Sequence, residues 1–219
     1  MYLSGNPKIY YEKRGSGKPL ILLHGNKESC RIFDELAEEL ERSFTVYAID
    51  SRGHGKSERV REYHYNDMAL DVLRLVMEEK LSSPCIYGFS DGGIVALICA
   101  LKAPDIFESV IASGANVSVK GLKTPSLFGM ALSALITKDD RTKMMVREPN
   151  IPFDELKRIK CPVLITAGEN DLIKEKHTRL IAQSIENSRL IIFKGKTHGG
   201  YIVHSSFLAD TIKDFCLNR

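Results

Sequence analysis

The sequence predicts an α/β protein in which a mostly parallel, twisted sheet carries helices on both faces. Short apolar runs alternate with longer amphipathic stretches along most of the chain, which is typical of parallel strands joined by helical crossovers. The run Leu20–Leu23 is apolar without interruption, as expected for a strand that is buried on both faces. The 219 residues suffice for one domain with a large core, so we assign residues 1–219 to a single domain.

Composition and charge are those of an ordinary soluble globular protein. The net charge of +3 is too small to indicate a nucleic-acid partner. No apolar run reaches membrane-spanning length and no N-terminal stretch resembles a signal peptide, so we expect no membrane partner and a cytoplasmic location. Five cysteines lack Cys-x-x-Cys spacing, and Cys85, Cys99 and Cys161 lie in apolar runs as expected for core residues. The oligomeric state stays open.

The elements can be predicted in chain order. Turn-forming residues at 4–7 separate two short extended stretches and predict a small antiparallel pair within residues 1–14. Apolar runs then predict strands, and one-sided apolar periodicity predicts helices. Asn66 or Asp67 is expected to cap the helix that starts near residue 65. The expected strands are 20–23, 44–49, 85–89, 109–112, 162–167 and 189–193, and the expected helices are 32–40, 65–80, 94–101, 175–185 and 206–217.

Residues 120–150 interrupt this alternation and predict a small helical lid over the carboxyl edge of the sheet. Thr124 and Pro125 begin a helix rich in apolar residues, and a second short helical piece follows near residue 144. The candidates for lining an apolar substrate pocket under the lid are Leu127, Phe128, Met130, Met144 and Met145. The alternative is that these side chains only pack the lid against the domain.

Residues 88–92 (G-F-S-D-G) lie between an apolar strand and an apolar helix. This context predicts a nucleophile elbow with Ser90 at the turn. Glycines are expected at 88 and 92 because side chains there would collide with the neighbouring strand and helix. The start of the following helix directs N–H groups and a positive dipole end at an anion that forms beside Ser90.

Five stretches together resemble the motifs of the α/β-hydrolase superfamily, in the order found in that superfamily. Residues 24–26 (H-G-N) resemble its oxyanion loop, and residues 88–93 resemble its elbow. The other three, at residues 50–57, 168–171 and 197–199, resemble its D-x-R-G-x-G-x-S turn, acid loop and histidine loop. Residues 88–93 and 114–116 look most like the biphenyl-hydrolase-like (valacyclovir hydrolase-like) branch, whose best-known activity is hydrolysis of amino-acid esters. This chain departs from that branch in its shorter insert.

Acyl transfer needs a nucleophile, a base to deprotonate it and a group to orient the base. His198 is the candidate base, because it follows an apolar strand in a glycine-flanked loop where open α/β sheets bind ligands. His177 lies in a charged run and is expected to be solvated, and His204 is expected at the rim. The acid should follow the strand at 162–167, which leaves Glu169 or Asp171, and the position in the superfamily favours Asp171.

The resemblance also implies an oxyanion hole formed by the backbone N–H groups of Asn26 and Asp91. The Asp91 side chain has two interpretations. It is either a helix-start acid that interacts favourably with the dipole or a carboxylate that attracts a substrate ammonium group. The candidate substrate-binding residues are Phe89, Asp91, Leu127 and Phe128.

These features predict a serine hydrolase with carboxylesterase-like chemistry that cleaves small carboxylic esters through an acyl-Ser90 intermediate. Its partner is expected to be a small-molecule ester, with no metal or cofactor required. Three alternatives stay open: a C–C bond hydrolase with the same triad, a cofactor-free perhydrolase, and a ligand-binding protein that has kept the fold.

Overall fold

Seven strands form one sheet in the computed structural model of the chain, which describes residues 1–218. Their order across the sheet is β1-β3-β2-β4-β5-β6-β7. The edge strand β1 is antiparallel to β3, and all other neighbouring strands are parallel. The strands are β1 (Tyr11–Gly15), β2 (Lys18–Leu23), β3 (Phe44–Ile49), β4 (Cys85–Phe89), β5 (Ser109–Ser113), β6 (Val163–Asn170) and β7 (Ser188–Thr197).

Eight α-helices connect or follow these strands. They are α1 (Asp34–Leu40), α2 (Tyr65–Glu78), α3 (Asp91–Lys102), α4 (Thr124–Thr137), α5 (Asp140–Arg147), α6 (Phe153–Leu156), α7 (Glu175–Gln183) and α8 (Ala209–Leu217). None of the helices within residues 1–218 combines the length and apolar character that crossing a bilayer requires.

The buried side chains form two cores, one on each face of the sheet. Along β2, Ile21 and Leu23 belong to the core that also contains the buried faces of α2 and α3. Leu20 and Leu22 belong to the opposite core, which contains the buried faces of α1 and α8. This alternation follows from the two-residue period of a strand. It confirms the predicted fold class, a mostly parallel sheet with helices on both faces.

The predicted elements are present, with shifted ends in several places. The strands β6 and β7 extend to Asn170 and Thr197, because the two residues still pair beyond a local irregularity in register. The N-cap of α2 is His64, which makes no side-chain capping bond, so the expected capping role of Asn66 or Asp67 is wrong. Two short 3₁₀ segments, Cys30–Phe33 and Val119–Gly121, and the helix α6 were not predicted.

The segment between β5 and β6 contains the two helices α4 and α5, where the sequence predicts a lid. The isolated bridge Ser118–Asn150 ties the two ends of this segment to each other, and the bridge Leu122–Ile173 ties its first end to the loop after β6. Because β5 ends next to the elbow strand β4, the segment begins beside Ser90. That position is the one required of a cover for the carboxyl edge of the sheet.

Candidate active site

Ser90 lies in the sharp turn between β4 and α3. Its backbone has φ 54° and ψ −115°, which is a strained conformation for a residue with a side chain. A Cβ at Gly88 would collide with the carbonyl of Gly92, and a Cβ at Gly92 would collide with the carbonyl of Leu23. The Ser90 N–H donates to the carbonyl of Ser113 on β5 at 2.8 Å. These contacts hold the turn in the geometry of a nucleophile elbow.

A chain of two contacts links Ser90 to the loops after β6 and β7. His198 Nε2 lies 3.0 Å from Ser90 Oγ, and His198 Nδ1 lies 2.7 Å from Asp171 Oδ1. Because an ionised carboxylate only accepts, His198 Nδ1–H donates to Asp171 and Nε2 is left to accept from the Ser90 hydroxyl. The arrangement can therefore transfer the Ser90 proton to His198.

The carboxylate of Asp171 is buried but stays charged. Burial opposes its charge, yet the hydrogen bonds from His198 and from the backbone N–H of Ile173 outweigh burial and lower the pKa of Asp171 below its usual value. A carboxylate in this state fixes the tautomer of His198 and stabilises the imidazolium that forms after proton transfer. The alternative acid, Glu169, is exposed on β6 and accepts from the N–H of Gly195 instead.

Two backbone N–H groups beside Ser90 have no acceptor within residues 1–218. They belong to Asn26, in the loop after β2, and to Asp91, at the start of α3. The loop after β2 passes close to the nucleophile, since a Cβ added to Gly25 would lie 3.2 Å from Ser90 Cβ. The carboxylate of Glu28 accepts from the Gly25 N–H at 2.9 Å and restrains this loop, a contact that was not predicted.

The side chain of Asp91 is buried next to the nucleophile and bound by two donors. The amide Nδ2 of Asn26 donates to its Oδ2 at 2.9 Å, and the Tyr65 hydroxyl also donates to it. Burial nevertheless raises the pKa of Asp91 to about 6. A helix-start acid stabilised only by the dipole would have a lowered pKa. The carboxylate of Asp91 is therefore held in an unfavourable charged state beside Ser90.

Two cavities lie on either side of a wall formed by Met130, Met145 and Leu172. The inner cavity contains Ser90 and His198 and has a volume of about 30 Å³, which is room for one or two water molecules. The outer cavity, between the loop after β2 and the helices α4 and α5, has a volume of about 400 Å³. The three wall residues line both cavities, so an acyl group can reach Ser90 from the outer cavity only if these side chains move.

The other predicted substrate contacts lie at different distances from the inner cavity. Phe89 is buried, with its ring 5.0 Å from the ring of His198, so it supports the histidine. The side chain of Phe128 is 71% exposed on the outer side of α4, and neither it nor Leu127 is among the residues around the two cavities. Two of the other lid candidates, Met130 on α4 and Met145 on α5, line both cavities.

The remaining histidines do not contact Ser90 within the described residues. His177 accepts from the backbone N–H of Val117 at 3.1 Å and packs against Phe153, so its expected solvated position is wrong. Burial lowers the pKa of His177 to about 4. The side chain of His204 is exposed, and its backbone N–H donates to the carbonyl of Ile32. Among residues 1–218, no cluster of histidine, cysteine and acidic side chains could hold a metal ion.

The parallel sheet, the strained serine turn and the loops that converge on it define the chain as an α/β hydrolase. A family profile described as serine aminopeptidase, S33, matches residues 17–150, well over half of the chain. The chain therefore belongs to this hydrolase family.

Full-length similarities agree with this classification. The chain is 27% identical over 242 residues to mouse serine hydrolase BPHL, covering 94% of this chain and 82% of that protein. It is 25% identical over 255 residues to the AB hydrolase superfamily protein YisY of Bacillus subtilis, covering 94% of each. The predicted similarity to the biphenyl-hydrolase-like branch is thus confirmed. In fold, the chain is similar to an esterase from Exiguobacterium antarcticum, with a TM-score of 0.85 at 22% identity over 99% of this chain and 98% of that one.

Proposed function

We propose that the chain is a serine hydrolase that cleaves small carboxylic esters through an acyl-Ser90 intermediate. The observation that carries the proposal is the chain of contacts from Ser90 Oγ to His198 Nε2 at 3.0 Å and from His198 Nδ1 to Asp171 at 2.7 Å. Proton transfer within such contacts requires no reorganisation of the side chains. The nucleophile is Ser90, the base is His198, and Asp171 orients the base.

The reaction proceeds in two halves. Ser90 Oγ attacks the ester carbonyl while its proton passes to His198 Nε2, and the N–H groups of Asn26 and Asp91 donate to the oxyanion. The C–O bond to the alcohol then breaks, and His198 gives its proton to the departing oxygen. In the second half a water molecule gives a proton to His198 and attacks the acyl carbon. The bond to Ser90 breaks, the proton returns to Ser90 Oγ, and the carboxylic acid leaves.

The lid limits the acyl group to a small size. Residues 120–150 act as a lid within a single hydrolase domain, and Met130 and Met145 close the inner cavity to about 30 Å³. Methionine side chains are flexible, so they can move aside for a short chain without rearranging the helices. Acetyl to roughly hexanoyl esters are therefore the proposed range.

Asp91 favours a substrate with an ammonium group near the scissile carbonyl. Its carboxylate lines the inner cavity with Ser90, and its charge is only partly compensated there, as the pKa of about 6 indicates. An α-ammonium group in this partly desolvated site would pair with Asp91 more strongly than at the surface. The family description names an aminopeptidase, so aminoacyl amides are a second candidate class beside aminoacyl esters.

The proposal is tested with p-nitrophenyl acetate, butyrate, palmitate and alaninate, together with alanine p-nitroanilide. A fluorophosphonate should add one covalent mass to Ser90. Ser90→Ala should abolish labelling and lower ester turnover by at least about 10⁴-fold, because the nucleophile is lost. Labelling that persists in Ser90→Ala would contradict the assignment.

Further assays, added to this panel, separate the alternative functions. A C–C bond hydrolase would cleave a vinylogous dione without an acyl-enzyme burst on aryl esters, and a perhydrolase would require peroxide and acetate for halide oxidation. A binding protein would gain thermal stability from a ligand without turnover. Faster cleavage of the anilide than of propionyl esters would favour the aminopeptidase.

A further inference from the structure

The helix α4 is apolar on its outward face as well as on its inward face. Its 14 residues include no charged side chain. Four large apolar side chains on this helix are exposed: Phe128 (71%), Leu132 (46%), Leu135 (76%) and Ile136 (72%). They follow one another at spacings of four, three and one residues. This spacing places them in one stripe along the helix. A surface helix normally turns polar residues outward, so the stripe requires an apolar cover.

The segment that carries this stripe also carries the positive charge of the protein. Residues 120–150 contain six lysines and arginines, two aspartates and one glutamate, a net charge of +3 that equals the net charge of the whole chain. Both aspartates are neutralised locally: Asp139 pairs with Arg141 at 2.8 Å, and Asp140 pairs with Lys143 at 2.7 Å.

Lysines without an ion pair mark both ends of α4. Lys123 is its N-cap and Lys138 its C-cap, and Lys120 precedes it by one turn of chain. All three are exposed, and none forms an ion pair within the part of the chain that is described. The helix is about 21 Å long, the apolar stripe covers about 12 Å of it, and unpaired cations thus lie at the two ends of the helix.

The positive charges of the lysines distinguish between two possible partners that could cover the apolar stripe of α4. A second copy of the chain packed with two-fold symmetry would bring the same lysines face to face, and like charges in a low-dielectric interface repel. A bilayer with anionic headgroups offers phosphates for the lysines and acyl chains for the stripe. The basic groups of this segment lie at the ends of α4 and not along a polar face, so the attraction to anionic headgroups would act at the two ends of the helix while the stripe contacts the acyl chains.

We propose that the outer face of α4 binds the surface of an anionic lipid bilayer. The apolar stripe enters the boundary between headgroups and acyl chains with Phe128, Leu132, Leu135 and Ile136. Lipid phosphates are contacted by the three lysines at the ends of the helix, Lys120, Lys123 and Lys138. The binding is peripheral, and it revises the expectation from sequence that the chain has no membrane partner. It does not depend on the proposed esterase activity, because nothing in the stripe touches Ser90.

The test is flotation of the chain with vesicles of phosphatidylglycerol and phosphatidylcholine, compared with vesicles of phosphatidylcholine alone. The chain should bind the anionic vesicles at least about tenfold more tightly, and 0.5 M salt should remove most of that difference. Lys123→Gln with Lys138→Gln should weaken binding to anionic vesicles roughly tenfold. Leu132→Ser with Ile136→Ser should weaken it by a similar factor or more.

A matched control uses exposed apolar residues elsewhere. Leu70 and Met77 on α2 are 52% and 71% exposed and lie on one side of their helix, so Leu70→Ser with Met77→Ser should leave binding unchanged. Far-UV circular dichroism and melting temperature check that each variant is folded. Absence of binding, or equal loss in the control pair, would overturn the proposal. So would a dimer in size-exclusion chromatography that Leu132→Ser with Ile136→Ser dissociates, because a second copy would then cover the stripe.

Discussion

The elbow and the helices α4 and α5, which form the proposed lid, face the same inner cavity, but different forces hold them in position. The elbow is fixed by backbone contacts: glycines at 88 and 92 allow strand and helix to approach, and a hydrogen bond from Ser90 to Ser113 ties the turn to β5. The lid helices approach the cavity through the flexible side chains of Met130 and Met145. One side of the cavity is therefore rigid, and the other can adapt.

This difference separates chemistry from selectivity. Catalytic groups have to stay within a fraction of an ångström of their working positions, which backbone contacts and short hydrogen bonds achieve. The choice of substrate needs a surface that yields to the correct shape, which methionines provide. Substitutions in the chain of contacts from Ser90 to His198 and Asp171 should thus change rates for all substrates together, whereas substitutions on the lid side should change the ranking of acyl chain lengths.

Asp171→Asn gives the largest expected effect on the rigid side short of removing the nucleophile. An amide at this position donates as well as accepts, so it allows His198 to adopt the tautomer that cannot accept the Ser90 proton. We expect kcat to fall roughly 10⁴-fold for every ester in the panel, with KM little changed. Initial rates on p-nitrophenyl acetate and butyrate measure this.

The control for that substitution is Glu169→Gln. Glu169 is the other acid after β6, but its carboxylate accepts from Gly195 on the surface, so the variant should keep most of the activity. If Glu169→Gln proves inactive and Asp171→Asn active, the orienting acid has been assigned to the wrong residue.

The rigid side could be predicted from sequence because each of its parts leaves a local signal. The pattern around Ser90 reflects the strain of the turn and the absence of space for a Cβ, and both are properties of neighbouring residues. His198 and Asp171 follow apolar strands, whose parallel arrangement brings the loops to one edge.

The adaptable side could not be predicted to the same degree. The sequence identifies α4 as apolar, but a helix that is apolar all round has no periodicity to say which residues face inward. Apolar lid residues could therefore be named only as a group of candidates, of which Met130 and Met145 line the inner cavity and Leu127 and Phe128 do not. The hydrogen bonds of Asp91 were also missed, because Tyr65 is 26 residues away in sequence and no local pattern connects them. The position of His177 was missed for the same reason.

Asp91 belongs to the rigid side by position, yet its charge is costly there. Because burial raises its pKa to about 6, the folded protein binds a proton that the unfolded chain has already released between about pH 4 and 6. The stabilising effect of this proton is fully present below about pH 4 and is lost as the pH rises through 6. At pH 7.5 the charge of Asp91 should lower the free energy of unfolding by about 2–3 kcal/mol, and Asp91→Asn should recover the part of this that the loss of one acceptor for Asn26 or Tyr65 does not offset. Urea unfolding at pH 7.5 and at pH 3.5 measures it.

The free energies of unfolding of the wild type and of Asp91→Asn should converge at low pH, since Asp91 is then protonated in the folded and in the unfolded state. The same substitution should also remove any preference for alanyl over propionyl esters of one alcohol, measured as kcat/KM above pH 6. An unchanged or lower stability of Asp91→Asn at pH 7.5 would show that the charge is well compensated in the folded state. Equal kcat/KM for the two wild-type esters would return Asp91 to a helix-start role.

The smallest expected effect is on the adaptable side, where truncating a methionine should change selectivity more than rate. Met130→Ala or Met145→Ala removes part of the wall between a cavity of about 30 Å³ and one of about 400 Å³. Room for about two further methylenes, each worth about 0.8 kcal/mol when buried, should shift kcat/KM roughly tenfold toward octanoyl relative to butyryl esters. Acetyl esters should react almost as before, because Ser90 and His198 are not moved.

The matched control is Met77→Ala, which changes an exposed methionine on α2. A chain-length profile that is the same in all three variants and in the wild type would mean that the lid does not select the acyl group, and the division between a rigid and an adaptable side would fail.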